Sequence, residues 1–289
     1  MVLLGLLLLS AATACLSATA KDSNKQPNSG RAQVKDPKVL NVFPEDPDKF
    51  PRAHNSSVVA HDPNVIKTGD SYYLFKGGVG ITKYKSPSWD GPWTEIGRVL
   101  AGDSVIDKGN RTRPWAPAVL KRGDLFFCYY TVTSQGSQDS AIGVATTKDI
   151  ERNDWEDHGA VITTGTGFAA NSMPFKNSNA IDPQIFIDGK DGPAYLNYGS
   201  FWNGLYQVSL SDDMMSVPNA NDLSKDDYVH LASTGQGGSK NDIEGVFLSY
   251  KKPYYYLWYS QGRCCNFDKV DFNDLVENNQ EYVAFIFLV

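Results

Sequence analysis

HDPNVIKTGDSYYLF, residues 61–75, decides the fold. One acid, Asp62, stands before a proline and an apolar run. The turn Thr68-Gly69-Asp70 follows, then Ser71–Phe75, rich in Tyr and Phe. The pattern is strand, tight turn, strand, with Asp62 at the mouth of the first strand. The same order returns in RPWAPAVLKRGDLFFCYY (113–130), AIDPQIFIDGKDGPAYLNYGSF (180–201) and DIEGVFLSYKKPYYYLWYS (242–260). The units recur at roughly 55–65 residues, somewhat longer than the ~40–50 of familiar propeller repeats. Repeated antiparallel units of this kind predict an all-β propeller, each blade a small sheet whose innermost strand lines a central channel. Residues at equivalent blade starts then converge on one mouth of the channel. Three of the four starts carry a carboxylate: Asp62, Asp182 and Glu244.

Outer-strand signals fill the intervals: GITKYKSPSWDGPWTEI (80–96), AIGVATTKDIERNDWEDHG (141–159) and LYQVSLSDDMMSV (205–217). The last has room for a short helical turn. No long segment of 3.6-residue period occurs, so helix is expected to be minor.

Around this body the chain divides simply. Residues 1–20 read as a secretory signal peptide. VLLGLLLLS is an apolar core too short to span a bilayer, and Ala18-Thr19-Ala20 is a small-x-small cleavage site. Residues 21–49 are polar and read as a flexible leader. The catalytic propeller is expected over 50–265. The expected product is a secreted, extracellular, monomeric protein without a membrane anchor. A net charge of -6 with interspersed signs offers no basic face, which argues against nucleic acid.

Of four cysteines, Cys15 leaves with the signal. Cys128, inside FFCYY, is expected to be a buried free thiol. Cys264 and Cys265 are adjacent: a vicinal disulfide or a partner elsewhere are both open. Metal spacing such as C-x-x-C is absent. Asn55-Ser56-Ser57 and Asn110-Arg111-Thr112 are glycosylation sequons. His54, His158 and His230 have no ligand spacing and read as surface residues. His61, beside Asp62, suggests orientation or packing.

Two carboxylates flanking a sugar bond can hydrolyse it. In the inverting version one activates water and the other, protonated, donates to the leaving oxygen. A third acid nearby keeps the donor protonated by like-charge repulsion. Taken singly, an Asp before Pro is more often a turn residue. Glu244, at the entrance to an apolar strand, is costly to bury unless paired. Three such acids around one channel point to hydrolytic chemistry together.

HDPNVI, RPWAPAV, NAIDPQIF, YLNYGSFW and DIEGVFLSY, in this order between about residues 60 and 265, resemble the motifs of glycoside hydrolase family 43, and within it the endo-acting α-1,5-L-arabinanases. The resemblance implies a five-bladed β-propeller that hydrolyses with inversion. It implies Asp62 as general base, Glu244 as general acid and Asp182 as the residue that tunes and orients the acid. It implies Trp115 as a sugar-stacking wall, with core packing the alternative, and Asn197 and Ser200 as partners of substrate hydroxyls. The implied substrate is the arabinan of plant pectin. Exo-acting members of the family and a non-catalytic sugar-binding propeller are the alternatives.

The sequence departs from the family pattern in two places. Gln135, in TVTSQGSQ, stands near the point where the family carries a cleft aromatic. The motifs also stop after Arg263-Cys264-Cys265, so the fourth blade is expected to be incomplete and the fifth missing. Residues 266–289 read as an atypical tail. No cofactor is required for the chemistry. The structural calcium common in the family is implied, yet the later histidine that helps to hold it has no counterpart here.

Overall fold

The computed structural model describes residues 58–240 and 242–261 and the short strand Phe287–Leu288. The leader, the first sequon, His54, the Cys264-Cys265 pair and most of the tail lie outside these residues.

The described residues are all-β and form four antiparallel sheets in sequence order. The first holds β1 (Asn64–Thr68), β2 (Ser71–Lys76), β3 (Thr82–Ser86) and β4 (Thr94–Arg98). The second holds β5 (Trp115–Arg122), β6 (Leu125–Val132), β7 (Ala141–Thr147) and β8 (Glu156–Thr163). The third holds β9 (Gln184–Ile187), β10 (Ala194–Tyr198), β11 (Leu205–Ser209) and β12 (Tyr228–Ala232). The fourth holds β13 (Ile243–Lys251), β14 (Tyr254–Gln261) and β15 (Phe287–Leu288). Each sheet is a blade whose strands pair with their sequence neighbours. The innermost strands β1, β5, β9 and β13 contact one another in succession, which is the propeller arrangement. Among the described residues three blades are complete and the fourth has three strands.

The hairpins follow from local chemistry. Thr68 pairs with Ser71 and Arg122 with Leu125, leaving Gly69-Asp70 and Gly123-Asp124 as two-residue turns. Both glycines take positive φ, 58° and 59°, a conformation that favours a residue without Cβ. The region expected to hold a helical turn forms a tight turn, the Met214 amide donating to the Ser211 carbonyl at 2.8 Å. A 3-10 turn follows at Ala220–Asp222.

The core lies between blades. β6 shows why: Phe126, Cys128, Tyr130 and Val132 pack toward blade one, and Phe127 and Tyr129 toward blade three. A strand buried on both faces reads as a continuous apolar run rather than an alternation. Cys128 is a fully buried free thiol, as its place in FFCYY predicts.

Side chains of the innermost strands stitch successive blades. The Val119 amide donates to Asn64 Oδ1 at 3.1 Å, joining blades one and two. Gln184 Oε1 accepts from the Leu248 amide at 3.2 Å, joining blades three and four. Further out, the fully buried Lys83 of β3 donates to the carbonyls of Ile150 (3.0 Å) and Arg152 (2.5 Å), holding blade one to a loop of blade two. Among the described residues no helix is long and apolar enough to cross a membrane.

Candidate active site

Each blade enters its innermost strand through one left-handed residue. These are Asp62 (φ 48°), Ala116 (φ 43°), Asp182 (φ 54°) and Gly245 (φ 66°). Two residues later, at Asn64, Ala118, Gln184 and Phe247, ladder pairing is in place. Positive φ in a residue other than glycine costs on the order of 1–3 kcal/mol and survives only where the surroundings fix it. Asp tolerates it better than most. In blades one to three a proline follows, at 63, 117 and 183, which removes one backbone donor from the kink.

The kink interrupts strand alternation, so consecutive residues of each blade start line the cleft: 61–64, 115–118, 181–184 and 244–247. Within these runs the left-handed residue and the one before it are Asp62 and His61, Ala116 and Trp115, Asp182 and Ile181, and Gly245 and Glu244. Glu244 therefore does not sit at the position of Asp62 and Asp182, as the blade-start reading supposes. It stands one residue earlier, in register with His61, Trp115 and Ile181. β13 accommodates the offset with a register shift between Glu244 and Phe247, as β5 does between Trp115 and Ala118.

All three acids line one cleft of about 1220 Å³, together with Trp115 and Ser200. Asp62 keeps 44% of its side-chain surface, since the channel mouth is open. Its Oδ2 lies 3.1 Å from His61 Nδ1. The cleft walls still exclude enough water to raise its pKa, and His61 opposes the rise. Asp182 lies deeper. Its backbone amide donates to Thr131 Oγ1 at 3.2 Å, and its Oδ2 accepts from the Gly245 amide at 3.3 Å. Burial raises its pKa well above the ordinary carboxylate range, and the charges of Glu244 and then Asp62 add to the rise. Glu244 Oε2 accepts from Ser200 Oγ at 3.3 Å. Burial raises its pKa too, Ser200 opposes, and Asp62 adds a smaller rise. Desolvation favours the protonated form of both half-buried acids, Asp182 and Glu244, while Asp62 is the most exposed of the three.

Trp115 is half-buried on the cleft wall. Ser200 is fully buried and reaches the site through Glu244. Asn197 is placed elsewhere: fully buried in β10, its Nδ2 donates to Gln184 Oε1 at 2.5 Å and its Oδ1 accepts from Gln207 Nε2 at 2.7 Å. Gln135 lines the cleft, as do Phe201 and Trp202, which also take positive φ, 53° and 40°. Sequence reasoning missed Gly245. A glycine one residue into an apolar strand is a signal for a bulge or a close backbone approach.

No group of three or more His, Cys, Asp or Glu side chains among the described residues is arranged to hold a metal ion. His61 is already turned to Asp62. The described donors thus do not fit the calcium that the family resemblance implies, and no chemical step is routed through it.

The profile of glycosyl hydrolases family 43 matches residues 56–279. A relative from Emericella nidulans named probable arabinan endo-1,5-alpha-L-arabinosidase D is 44% identical over 218 residues, covering 75% of this chain and 56% of that protein. This chain thus spans little more than half the length of that relative. Among solved structures, the Cellvibrio cellulosa alpha-L-arabinanase complexed with arabinohexaose is 30% identical with a TM-score of 0.60, over 72% of this chain and 67% of that one. An exo-1,5-alpha-L-arabinanase from a bovine ruminal metagenomic library is 29% identical with a TM-score of 0.59, over 72% and 66%. On the profile match, with these relatives beside it, the chain belongs to glycosyl hydrolases family 43.

Proposed function

We propose that this protein is a secreted endo-1,5-α-L-arabinanase that cuts arabinan with inversion at the anomeric carbon. One observation carries the reading. Three carboxylates from three blades meet in a single cleft, one exposed and two half-buried, all three with raised pKa values.

Asp62 is the base. It faces the open mouth, where water enters, and His61 favours its ionised form. It takes a proton from water as the water oxygen bonds to the anomeric carbon. Glu244 is the acid. Burial favours its protonated form, and that proton passes to the glycosidic oxygen as the bond to the anomeric carbon breaks. Asp182 positions Glu244 through the Gly245 amide, and the charge of Glu244 adds to the raised pKa of Asp182. Trp115 offers a flat face to a furanose ring. Ser200 positions the acid rather than a substrate hydroxyl. The names of the relatives favour arabinan as the substrate.

The exo-acting mode is the second reading, since a solved exo-arabinanase shares the fold at nearly the same similarity. Hydrolysis of linear α-1,5-arabinan, followed by chromatography of the products and NMR of the newly formed anomer, tests both. Mixed oligosaccharides released with inverted configuration support the proposal. Arabinose alone supports the exo mode. Binding without release supports a sugar-binding propeller and overturns the enzyme.

A further inference from the structure

Four aromatic rings from distant parts of the chain form one stack in blade three. Phe175 and Tyr198 are 6.1 Å apart, Tyr198 and Tyr206 6.1 Å, Tyr206 and His230 4.5 Å, with interplanar angles of 28°, 28° and 10°. Phe175 and Tyr198 are fully buried, Tyr206 nearly so, and His230 is exposed. The stack therefore runs outward and ends in an imidazole at the surface. That ring is fixed, its Nε2 lying 2.6 Å from the carbonyl oxygen of Asn203. Tyr228 stands beside it, tilted against Tyr206 at 6.2 Å.

The end of the stack lines a cavity of about 390 Å³, within the ~300–1,000 Å³ of small-ligand sites. Asn203, Gln236 and the glycine loop 235–237 complete its polar wall. No Lys, Arg, Asp or Glu lines it. A rigid flat ring, amides, a phenol and accessible backbone, with no fixed charge, match a neutral polyhydroxylated ring whose C–H face stacks and whose hydroxyls bond at the rim. An anionic ligand would find no Lys or Arg there.

This cavity shares no lining residue with the catalytic cleft but shares two of its walls. In the turn after β10, Phe201 and Trp202 line the cleft and Asn203 lines the cavity. In the loop before β13, Gly235–Gly237 line the cavity and Lys240 lines the cleft. We infer that the cavity at His230, Tyr228 and Asn203 is an accessory sugar site that holds a mono- or disaccharide unit of the polymer beside the cleft. The identity of the sugar as arabinose rests on the proposed function above.

The test is calorimetric titration of α-1,5-arabinobiose into the full chain carrying Glu244→Gln, so that nothing is consumed. Two molecules should bind per chain. Adding His230→Ala should leave one, and so should Gly237→Trp. A Cβ at Gly237 meets nothing within 4 Å, so the backbone there admits a side chain, and an indole at this lining position obstructs the cavity while leaving His230 in place. Trp115→Ala should remove the other. A single bound molecule that survives both cavity variants and is lost with Trp115→Ala overturns the accessory site and leaves the arabinan reading standing. No binding in any form overturns the arabinan reading and the accessory site with it.

Discussion

Replacing Asn197 with alanine decides between a role on the substrate and a role in the fold. The resemblance of YLNYGSFW to family motifs implies a substrate contact. The structure instead gives Asn197 two partners inside blade three, Gln184 Oε1 at 2.5 Å and Gln207 Nε2 at 2.7 Å. Gln184 Oε1 also accepts from the Leu248 amide, so the same chain of amides ties blade three to blade four. Alanine removes two hydrogen bonds, each worth about 1 kcal/mol net. It also leaves the half-buried Gln207 amide short of an acceptor, adding about 1 kcal/mol more, for a total of about 3 kcal/mol. In a domain of this size that lowers Tm by about 6–12 °C. Urea unfolding and a thermal scan measure the loss. Activity per folded molecule, with its KM for arabinan, should stay close to the parent value. A variant of unchanged stability whose KM rises strongly would refute the reasoning and restore Asn197 to the substrate.

Two further outcomes follow from the cleft and a third from the first hairpin turn. Ser200→Ala removes the hydroxyl that favours ionised Glu244, so the alkaline limb of kcat/KM should move to higher pH while the acid limb stays; a limb that stays or moves down contradicts Ser200 as a partner of the acid. The three acids are raised in the folded state, so the native protein holds more protons than the unfolded chain at pH values above their ordinary range, and stability falls as pH rises there. Asp62→Asn, Asp182→Asn and Glu244→Gln combined should therefore be more stable than the parent at pH 7, with the gain shrinking toward pH 4; equal denaturation midpoints at pH 7 would contradict the raised values. Gly69→Ala, at φ 58° with nothing within 4 Å of the added Cβ, should cost about 1 kcal/mol through backbone strain alone, read as a lower urea midpoint with unchanged activity per folded molecule.

Local chemistry made the blades legible. The Gly-Asp turns after β1 and β5 and the aromatic runs that follow them state strand, turn and strand without tertiary information. The doubly buried β6 showed itself as the unbroken run LFFCYYTV. The acids were legible because their motifs recur at blade starts. Their exact register was not. Glu244 lies one residue before its kink, while Asp62 and Asp182 lie on theirs. Ala116 takes the same left-handed conformation with no local signal, because the neighbouring strands impose it rather than the residue. Asn197 looked like a site residue because its neighbours did, and only the fold shows that its amide is already satisfied. The ring stack ending at His230 joins residues 55 positions apart, from Phe175 to His230, so no window of sequence contains it.

The central claim is that Glu244, held by Ser200 beside the half-buried Asp182, is the proton donor in arabinan hydrolysis. Its most direct test is the rate of reducing-end release from linear α-1,5-arabinan by Glu244→Gln, measured beside the affinity of the same variant for arabinan. The account predicts a rate lower by about 10²–10⁴-fold or more with affinity nearly unchanged. A rate close to the parent value, or a loss of affinity as large as the loss of rate, would contradict it.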